Sequence, residues 1–437
     1  MSLRYRIYRA ARRLVTFRQW EAFYREITEQ GSDLAHNYLG ALLEYASTHV
    51  PYYAGLLPAT DAEAFRRLPI LTKERISDNF EELKSDHLYR HKWHLNSSGG
   101  STGRPQTFVQ DKVFKQWSLA TQTYYYRRFL GMDYPQVPKI VLWGSERDLF
   151  NWSQGLKPKL SNWLTQTTFL NSFKITPDTM LEYIHVINKK KPEFVKGYAS
   201  SLYELAVAAR DRNIRLSPPR VVYSSAETLT PFMREVIEDV FQCKVYDFYG
   251  SREVGAIAGE CRSGSMHIFD FNNLVEVVDV EGNAVSPGEE GRLIITTLHN
   301  YSMPLIRYDI GDTAVAGTAC DCGSALPTLE RITGRVSDHF VTPTGDIVHG
   351  EYFTHLFYFR DWVEEFQVLQ TDVDRVEVYY VSTRDADPDD AADINAKIRL
   401  VMGETCAVEW IKVDEVPRTP QGKMLYTRSL VMQGRHR

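Results

Sequence analysis

A chain of 437 residues, 43% hydrophobic and 24% charged, is long enough for two or three domains, and its core needs neither a disulfide nor a metal to form. A net charge of -5 gives no broad basic field, which argues against nucleic acid as the main partner and leaves small molecules as the default substrates. No apolar run approaches the roughly 20 residues that span a bilayer and no apolar signal segment opens the chain, so the expectation is a cytoplasmic protein with no transmembrane segment.

From Arg4 to Trp20, six arginines (Arg4, Arg6, Arg9, Arg12, Arg13, Arg18) interleave with Tyr5, Ile7, Tyr8, Leu14, Val15 and Phe17. The favoured reading is an amphipathic helix packed on its own domain with its arginines in water, and the lesser one is contact with an anionic membrane surface. Residues 30 to 95 read as helices joined by polar turns, with Thr72 capping a run from Lys73. From Lys139 the pattern alternates. Strands are predicted at Ile140 to Leu142, at Phe194-Val195 and at Val221 to Tyr223, the last followed by a helix with Thr230 as cap, Pro231 at its first position and Val236, Ile237, Val240 and Phe241 on one face. Leu274 to Thr297, punctuated by Gly282 and Pro287-Gly288, predicts hairpins. Beyond it, strands at Phe366 to Leu369 and Val376 to Val381, a helix from Asp390 to Met402 and a strand from Val408 to Val413 describe a small α+β domain. The expected class is α/β: a large N-terminal domain, 1–336, with parallel-rich sheets and a β subdomain, then a small C-terminal α+β domain, 337–437.

Three places carry chemistry by residue type. Asn96 to Pro105 holds three glycines (Gly99, Gly100, Gly103), four hydroxyls (Ser97, Ser98, Ser101, Thr102) and Arg104. Such a loop lets backbone amides and hydroxyls approach a phosphate, although it lacks the Lys-Ser or Lys-Thr pair of a Walker loop, and a Gly/Ser-rich stretch alone is more often a surface turn. Cys261 and His267, with Cys320 and Cys322 about fifty residues on, offer three thiols and an imidazole, a donor set suited to tetrahedral structural zinc with no open position for water. Cys243 and Cys406 have no neighbouring acid or imidazole and are expected to pack. Trp93, Trp117, Trp143 and Tyr124 to Tyr126 either line an acyl pocket or fill the core.

Read together, the motifs resemble those of adenylate-forming enzymes, the acyl-CoA synthetase superfamily. The Ser98, Gly99, Gly100, Ser101, Thr102, Gly103 loop is similar to the family's phosphate loop, and Ser225-Ala226-Glu227 to its adenine-contacting segment. The Tyr246 to Glu253 stretch (Asp247, Phe248, Tyr249, Gly250, Ser251, Arg252, Glu253) resembles the motif that stacks adenine and approaches the phosphates and magnesium. Asp312, at the end of Arg307 to Asp312, resembles the ribose-binding aspartate, Gly334-Arg335 the hinge arginine, and Pro417 to Lys423 the C-terminal catalytic-lysine motif. Leu68 to Lys73 and the compact length point to the phenylacetate-CoA ligase family and its capsular-polysaccharide-biosynthesis (CapK-like) branch, whose members carry a similar Cys/His set.

The resemblance implies an AMP-binding domain and a C-terminal lid, ATP and Mg2+ as cofactors, a structural Zn2+ and CoA as a candidate acceptor. Lys423, Glu253 and Arg252 fall in catalytic positions. On that resemblance Lys423 is expected to stabilise the transferring charge, Glu253 to hold magnesium and Asp312 with Arg335 to hold ribose. Two positions depart from the pattern: Arg252 stands where a small hydroxyl residue is usual, a permanently charged donor able to grip phosphate, and Ser337 stands where Asp or Lys is common. The text from Asp338 to Gly350 also lacks the Arg-Gly-Val-Asn segment of phenylacetate ligases, which weakens CoA against an amine or hydroxyl acceptor. A non-catalytic nucleotide-binding relative is the reading from another class; Glu253, Asp312 and Lys423 argue against it.

Overall fold

The computed structural model describes residues 4, 19–31, 33–56, 65–88, 92–97, 106–143, 156–171, 177–227, 229, 231–335, 339–344, 347–357, 360, 362–363, 365–382, 384, 388–416 and 426–433. Arginines 6 to 18, Thr230 and the junction at 336–338 lie outside them, as do the loop Ser98 to Gly103 and Lys423. The described residues divide into two compact units, one comprising those up to Ile332 and the other those from Thr333.

In the first unit α1 (Gln19–Gln30) and α2 (Asp33–His49) lead to a short α3 (Lys73–Asp78), where Thr72 Oγ1 accepts from the Arg75 amide at 3.3 Å as the cap. β1 (Trp93–Ser97) and β2 (Thr107–Asp111) then pair antiparallel, with Ser97 opposite Thr107, so the sheet-forming pattern begins well before Lys139. The difference is physical: β1 is only five residues long and largely exposed, so the alternation of Trp93 and Leu95 with His94 and Asn96 is too short to mark a strand. Asp111 turns the chain into α4 (Lys112–Arg128). Its Oδ1 accepts from Phe114 N at 2.9 Å, and its Oδ2 accepts from the Tyr301 and Ser302 amides at 3.1 and 3.2 Å. One buried carboxylate thereby satisfies a helix start and a distant loop.

An eleven-stranded mixed sheet follows. β3 (Lys139–Trp143), β4 (Thr167–Asn171), β5 (Phe194–Gly197), β6 (Val221–Ser225) and β7 (Val245–Ser251) are parallel in the order β4-β3-β5-β6-β7, with crossover helices α5 (Leu156–Leu164), α6 (Pro177–Lys190), α7 (Ala199–Asp211) and α8 (Pro231–Phe241). The helix predicted from Pro231 is present, and Ile237 and Phe241 are buried. Beyond β7 the sheet turns antiparallel through β8 (Gly255–Glu260) and β9 (Met266–Ile268), and β9 pairs with β13 (Thr328–Arg335). β12 (Tyr308–Ala316), β11 (Glu290–Thr297) and β10 (Asn273–Val278) complete it, with β10 and β11 forming the predicted hairpin. Trp117, Tyr125 and Tyr126 of α4 fill the core against this sheet. The fit is close: a Cβ on Gly259 would lie 2.5 Å from the Tyr125 ring.

The second unit contains the hairpin β14 (His339–Val341) and β15 (Ile347–His349), then α9 (Gly350–Phe357). Its four-stranded sheet β18-β17-β16-β19 joins β16 (Glu365–Asp372), β17 (Arg375–Val381), β18 (Ala407–Lys412) and β19 (Thr427–Ser429), with α10 (Pro388–Met402) between β17 and β18. The predicted β-β-α-β order is therefore framed by further short elements. Gln370 joins them: its Oε1 accepts from Val341 N at 3.0 Å and Ser429 Oγ at 2.7 Å, and its Nε2 donates to Val341 O at 2.6 Å. Among the described residues no helix is long and apolar enough to cross a membrane.

Candidate nucleotide site and thiol cluster

Ligands of parallel α/β sheets bind outside the carboxyl ends of the strands. Here β6 and β7 bring Ser225 opposite Phe248, and Ser225 Oγ donates to the Phe248 carbonyl at 3.0 Å. Ala226 follows with φ of 73°, a left-handed backbone that a residue with a Cβ adopts only under constraint, and the strain turns Ser225-Ala226-Glu227 away from the sheet. On β7, Gly250 lies in a bulge, where a Cβ would sit 2.7 Å from the Gly255 carbonyl oxygen. Beside it Tyr249 Oη donates to Asp312 Oδ2 at 2.6 Å, joining two motifs 63 residues apart.

Asp312 follows Gly311, whose φ of 86° admits glycine readily. Its neighbours are framework. Asp309 accepts from Gly311 N at 2.9 Å and pairs with Arg292 at 3.0 Å. Arg307, buried and itself left-handed at φ 50°, donates to the Leu68 carbonyl at 2.7 Å and pairs with Glu276 at 3.1 Å. Leu71 runs parallel to Tyr308, its carbonyl accepting from Asp309 N at 3.0 Å. The Leu68 to Lys73 segment is thus fastened along β12.

Asp247 sits deeper. Its Oδ1 accepts from Phe248 N and its amide donates to Glu260 Oε2, both at 2.9 Å, while Arg234 pairs with Glu260 at 2.9 Å. Burial, reinforced by the Glu260 charge, pushes its carboxyl up to about 7. Ser251 Oγ accepts from Val254 N at 3.3 Å, and Glu253 is buried. The carbonyls of Arg252 and Glu253 are both held by Gln110 Nε2, at 2.7 and 3.1 Å, and Gln110 Oε1 accepts from Asn96 Nδ2 at 3.0 Å. Sequence reading missed Gln110: glutamine on a short strand carries no motif, and its burial became visible only with the fold. Of the remaining predicted residues, Glu227 is half-buried, and Arg335 ends β13 with its side chain outside the described residues.

The thiols and imidazole predicted to act together converge, their donor atoms all within 4.8 Å of one another. Cys261 Sγ lies 3.7 Å from Cys320 Sγ, and Cys322 Sγ lies 3.2 Å from His267 Nε2. Four ligands at about 2.3 Å around one tetrahedral ion stand about 3.8 Å apart, so the spacing fits a zinc-sized centre. His267 Nδ1 lies 3.2 Å from the Leu326 carbonyl, which orients the ring and turns Nε2 inward. Cys243 is half-buried beside the Lys244 carbonyl and Cys406 is buried, both packing as expected.

The mixed sheet, the smaller α+β unit and the meeting of Ser225, Tyr249 and Asp312 are the features on which this chain compares with known ligases in fold. A family profile described as the CapK C-terminal domain matches residues 340–429. Protein CapK of Staphylococcus aureus is 27% identical over 373 residues, spanning 82% of this chain and 78% of its own. Phenylacetate-coenzyme A ligase of Thermus thermophilus is 26% identical over 324 residues, 69% of this chain and 70% of its own. Among solved structures, 2-hydroxyisobutyryl-CoA ligase in complex with an acyl-AMP superposes with a TM-score of 0.61 at 17% identity, covering 92% of this chain and 90% of that one, a likeness of fold. The chain is thus similar in sequence to CapK and to the phenylacetate-CoA ligases, and in fold to an adenylate-forming CoA ligase.

Proposed function

We propose that the protein adenylates a carboxylic acid with ATP and passes the acyl group to an acceptor. The carboxylate oxygen attacks the α-phosphorus, the bond to the bridging oxygen breaks and pyrophosphate leaves. The acceptor then attacks the acyl carbonyl, loses its proton and releases AMP. The observation that carries this reading is the Tyr249–Asp312 hydrogen bond of 2.6 Å beside the strained Ser225-Ala226-Glu227 turn: three motifs separated in sequence gather beyond the carboxyl ends of β6 and β7.

In this reading residues 1–336 form the AMP-binding domain and 337–437 the lid. The Ser98 to Gly103 loop holds the phosphates, Glu253 holds Mg2+, Asp312 and Arg335 hold ribose, and Arg252 with Lys423 meets the charge that develops at phosphorus. Gln110 is a positioning residue. It fixes the peptide carrying Arg252 and Glu253 and, through Asn96, the strand that leads into the phosphate loop. Cys261, His267, Cys320 and Cys322 hold a structural zinc, a staple between loops with no part in the reaction.

CoA is the acceptor that the phenylacetate-ligase likeness favours. A second reading, transfer to an amine or hydroxyl, draws support from the missing Arg-Gly-Val-Asn segment between Asp338 and Gly350. The test is ATP–pyrophosphate exchange across a panel of aryl, alkyl and dicarboxylic acids. The expected result is acid-dependent exchange that falls about a hundredfold in Lys423→Ala, the usual cost of losing a transition-state charge contact. AMP release that accelerates with CoA selects the first acceptor; release indifferent to CoA selects the second. ATP binding without exchange by any acid in the panel counts against adenylation.

A further inference from the structure

Away from the strand ends, His49, Asp86 and His87 bring two imidazoles and a carboxylate together, their donor atoms all within 4.8 Å of one another. His49 Nδ1 lies 3.1 Å from Asp86 Oδ1, and His87 Nε2 lies 4.0 Å from the same oxygen. The two rings lie against one another, centroids 3.8 Å apart and planes 32° from parallel, and each presents a nitrogen to the one carboxylate.

The trio is carried on a fixed frame. His49 ends α2, one turn after Tyr45, whose ring centroid lies 4.8 Å from its own. The Asp86 amide donates to the His49 carbonyl at 2.8 Å, which holds the turn carrying Asp86 and His87 against the end of the helix. Ser85 fastens that turn from the other side. Its amide donates to the Ser302 carbonyl at 3.0 Å, while its Oγ accepts from the His87 amide at 3.0 Å and lies 2.6 Å from Tyr45 Oη. Ser302 is itself held through its amide by Asp111 Oδ2. Bonds outside the three donor groups therefore set their approach, and the set is arranged before any ion arrives.

We propose that His49, Asp86 and His87 form a second metal site, separate from the thiol cluster, which takes a zinc-class divalent ion. Two imidazole nitrogens and a carboxylate oxygen suit Zn2+ and are a poor set for Mg2+ or Ca2+, which favour oxygen throughout. Nitrogen and oxygen ligands at about 2.1 Å around a tetrahedral ion stand about 3.4 Å apart, so closing the observed separations onto one ion asks for side-chain shifts of about an ångström. Asp86 is more than half exposed and both imidazoles are partly so, which gives an ion access from solvent. Three protein ligands leave the fourth position to water. Short of one ligand and open to solvent, this centre binds more weakly than the four-ligand cluster and fills on added Zn2+. The ion staples the end of α2 to a turn 37 residues further on and acts on the stability of the first unit. The inference goes beyond the proposed function and does not depend on it.

The test uses the full-length, untagged chain as purified, titrated with zinc chloride in a calorimeter and then unfolded by heat. The expected result is a saturable Zn2+ site that raises the unfolding midpoint, with no such rise on adding Mg2+. His87→Ala and Asp86→Asn each weaken that site by about a hundredfold, since even the outer-shell partners of a metal ligand are worth roughly ten- to a hundredfold. Asp86→Asn changes an exposed side chain, and its midpoint without added zinc, equal to that of the wild type, verifies that the frame is intact. Zinc binding equal in wild type and both variants, no uptake beyond what the thiol cluster holds, or an equal response to Mg2+ overturns the site and leaves Asp86 as the ion-pair partner of His49.

Discussion

In the parallel half of the large sheet, β4-β3-β5-β6-β7, the residues of the proposed site sit where strands stop: Ser225 and Ser251 are the last residues of β6 and β7. In the antiparallel half paired groups face one another across ladders and loops, as Arg307 meets Glu276 and Cys261 meets Cys320. The first arrangement leaves room for a ligand and lets neighbouring loops set its shape. The second uses its groups on each other and fixes the scaffold that holds Asp312 in place. Changes in the antiparallel half should therefore register as lost stability, and changes at the strand ends as lost activity.

The largest effect expected from that contrast is at the thiol cluster. Protein purified without chelator should carry about one zinc per chain, and Cys320→Ser should lose the metal and lower the unfolding midpoint by roughly 5–10 °C, since a structural ion contributes folding free energy directly. Metal analysis and calorimetry check both; equal zinc content and an equal midpoint in the variant would break the comparison.

Next comes Gln110→Leu. It leaves the Arg252 and Glu253 carbonyls without their shared donor, and should lower kcat/KM for acid-dependent exchange by about tenfold while the midpoint moves by only about 2 °C. A midpoint that collapses without a separate loss of kcat/KM would assign Gln110 to the scaffold instead.

The smallest effect is a pH dependence. Asp247, pushed up to about 7 mainly by burial, keeps its proton in the folded chain over a range where the unfolded chain has released it. The folded state then binds more protons, so this group makes stability fall as pH rises from about 4 toward 7. Asp247→Asn should flatten that slope, raising the midpoint at pH 8 by on the order of 2 °C relative to wild type. Parallel pH profiles for the two proteins would instead place the Asp247 titration outside this range.

Much of the α/β order was legible because short, fully buried apolar runs alternating with amphipathic helices announce themselves; Val221 to Tyr223 and the Pro231 helix are examples. The β1–β2 hairpin was not, because its first strand is short and largely exposed. The separated thiols and His267 were legible as a donor set, since soft ligands are scarce in a chain with five cysteines. What stayed hidden were residues whose role is positional. Nothing in the letters of Gln110 or Arg307 distinguishes a buried clamp from a solvated surface side chain; only the strands around them do. The Tyr249–Asp312 bond was hidden for a related reason, since each residue was read within its own motif and the bend that joins them is set by Gly311 and the bulge at Gly250.

Arg307 also bears on the order in which the molecule assembles. Its bond to the Leu68 carbonyl spans 239 residues, and Tyr53 Oη accepts from Ile306 N across 253. The first helices leave the ribosome long before β12 exists, so their docking surface is missing for most of synthesis. Apolar faces around Leu42 and Val50 wait for the strands that cover them. The first unit therefore closes late and cooperatively, and an interruption of synthesis anywhere before Arg307 leaves an early segment with nowhere to settle.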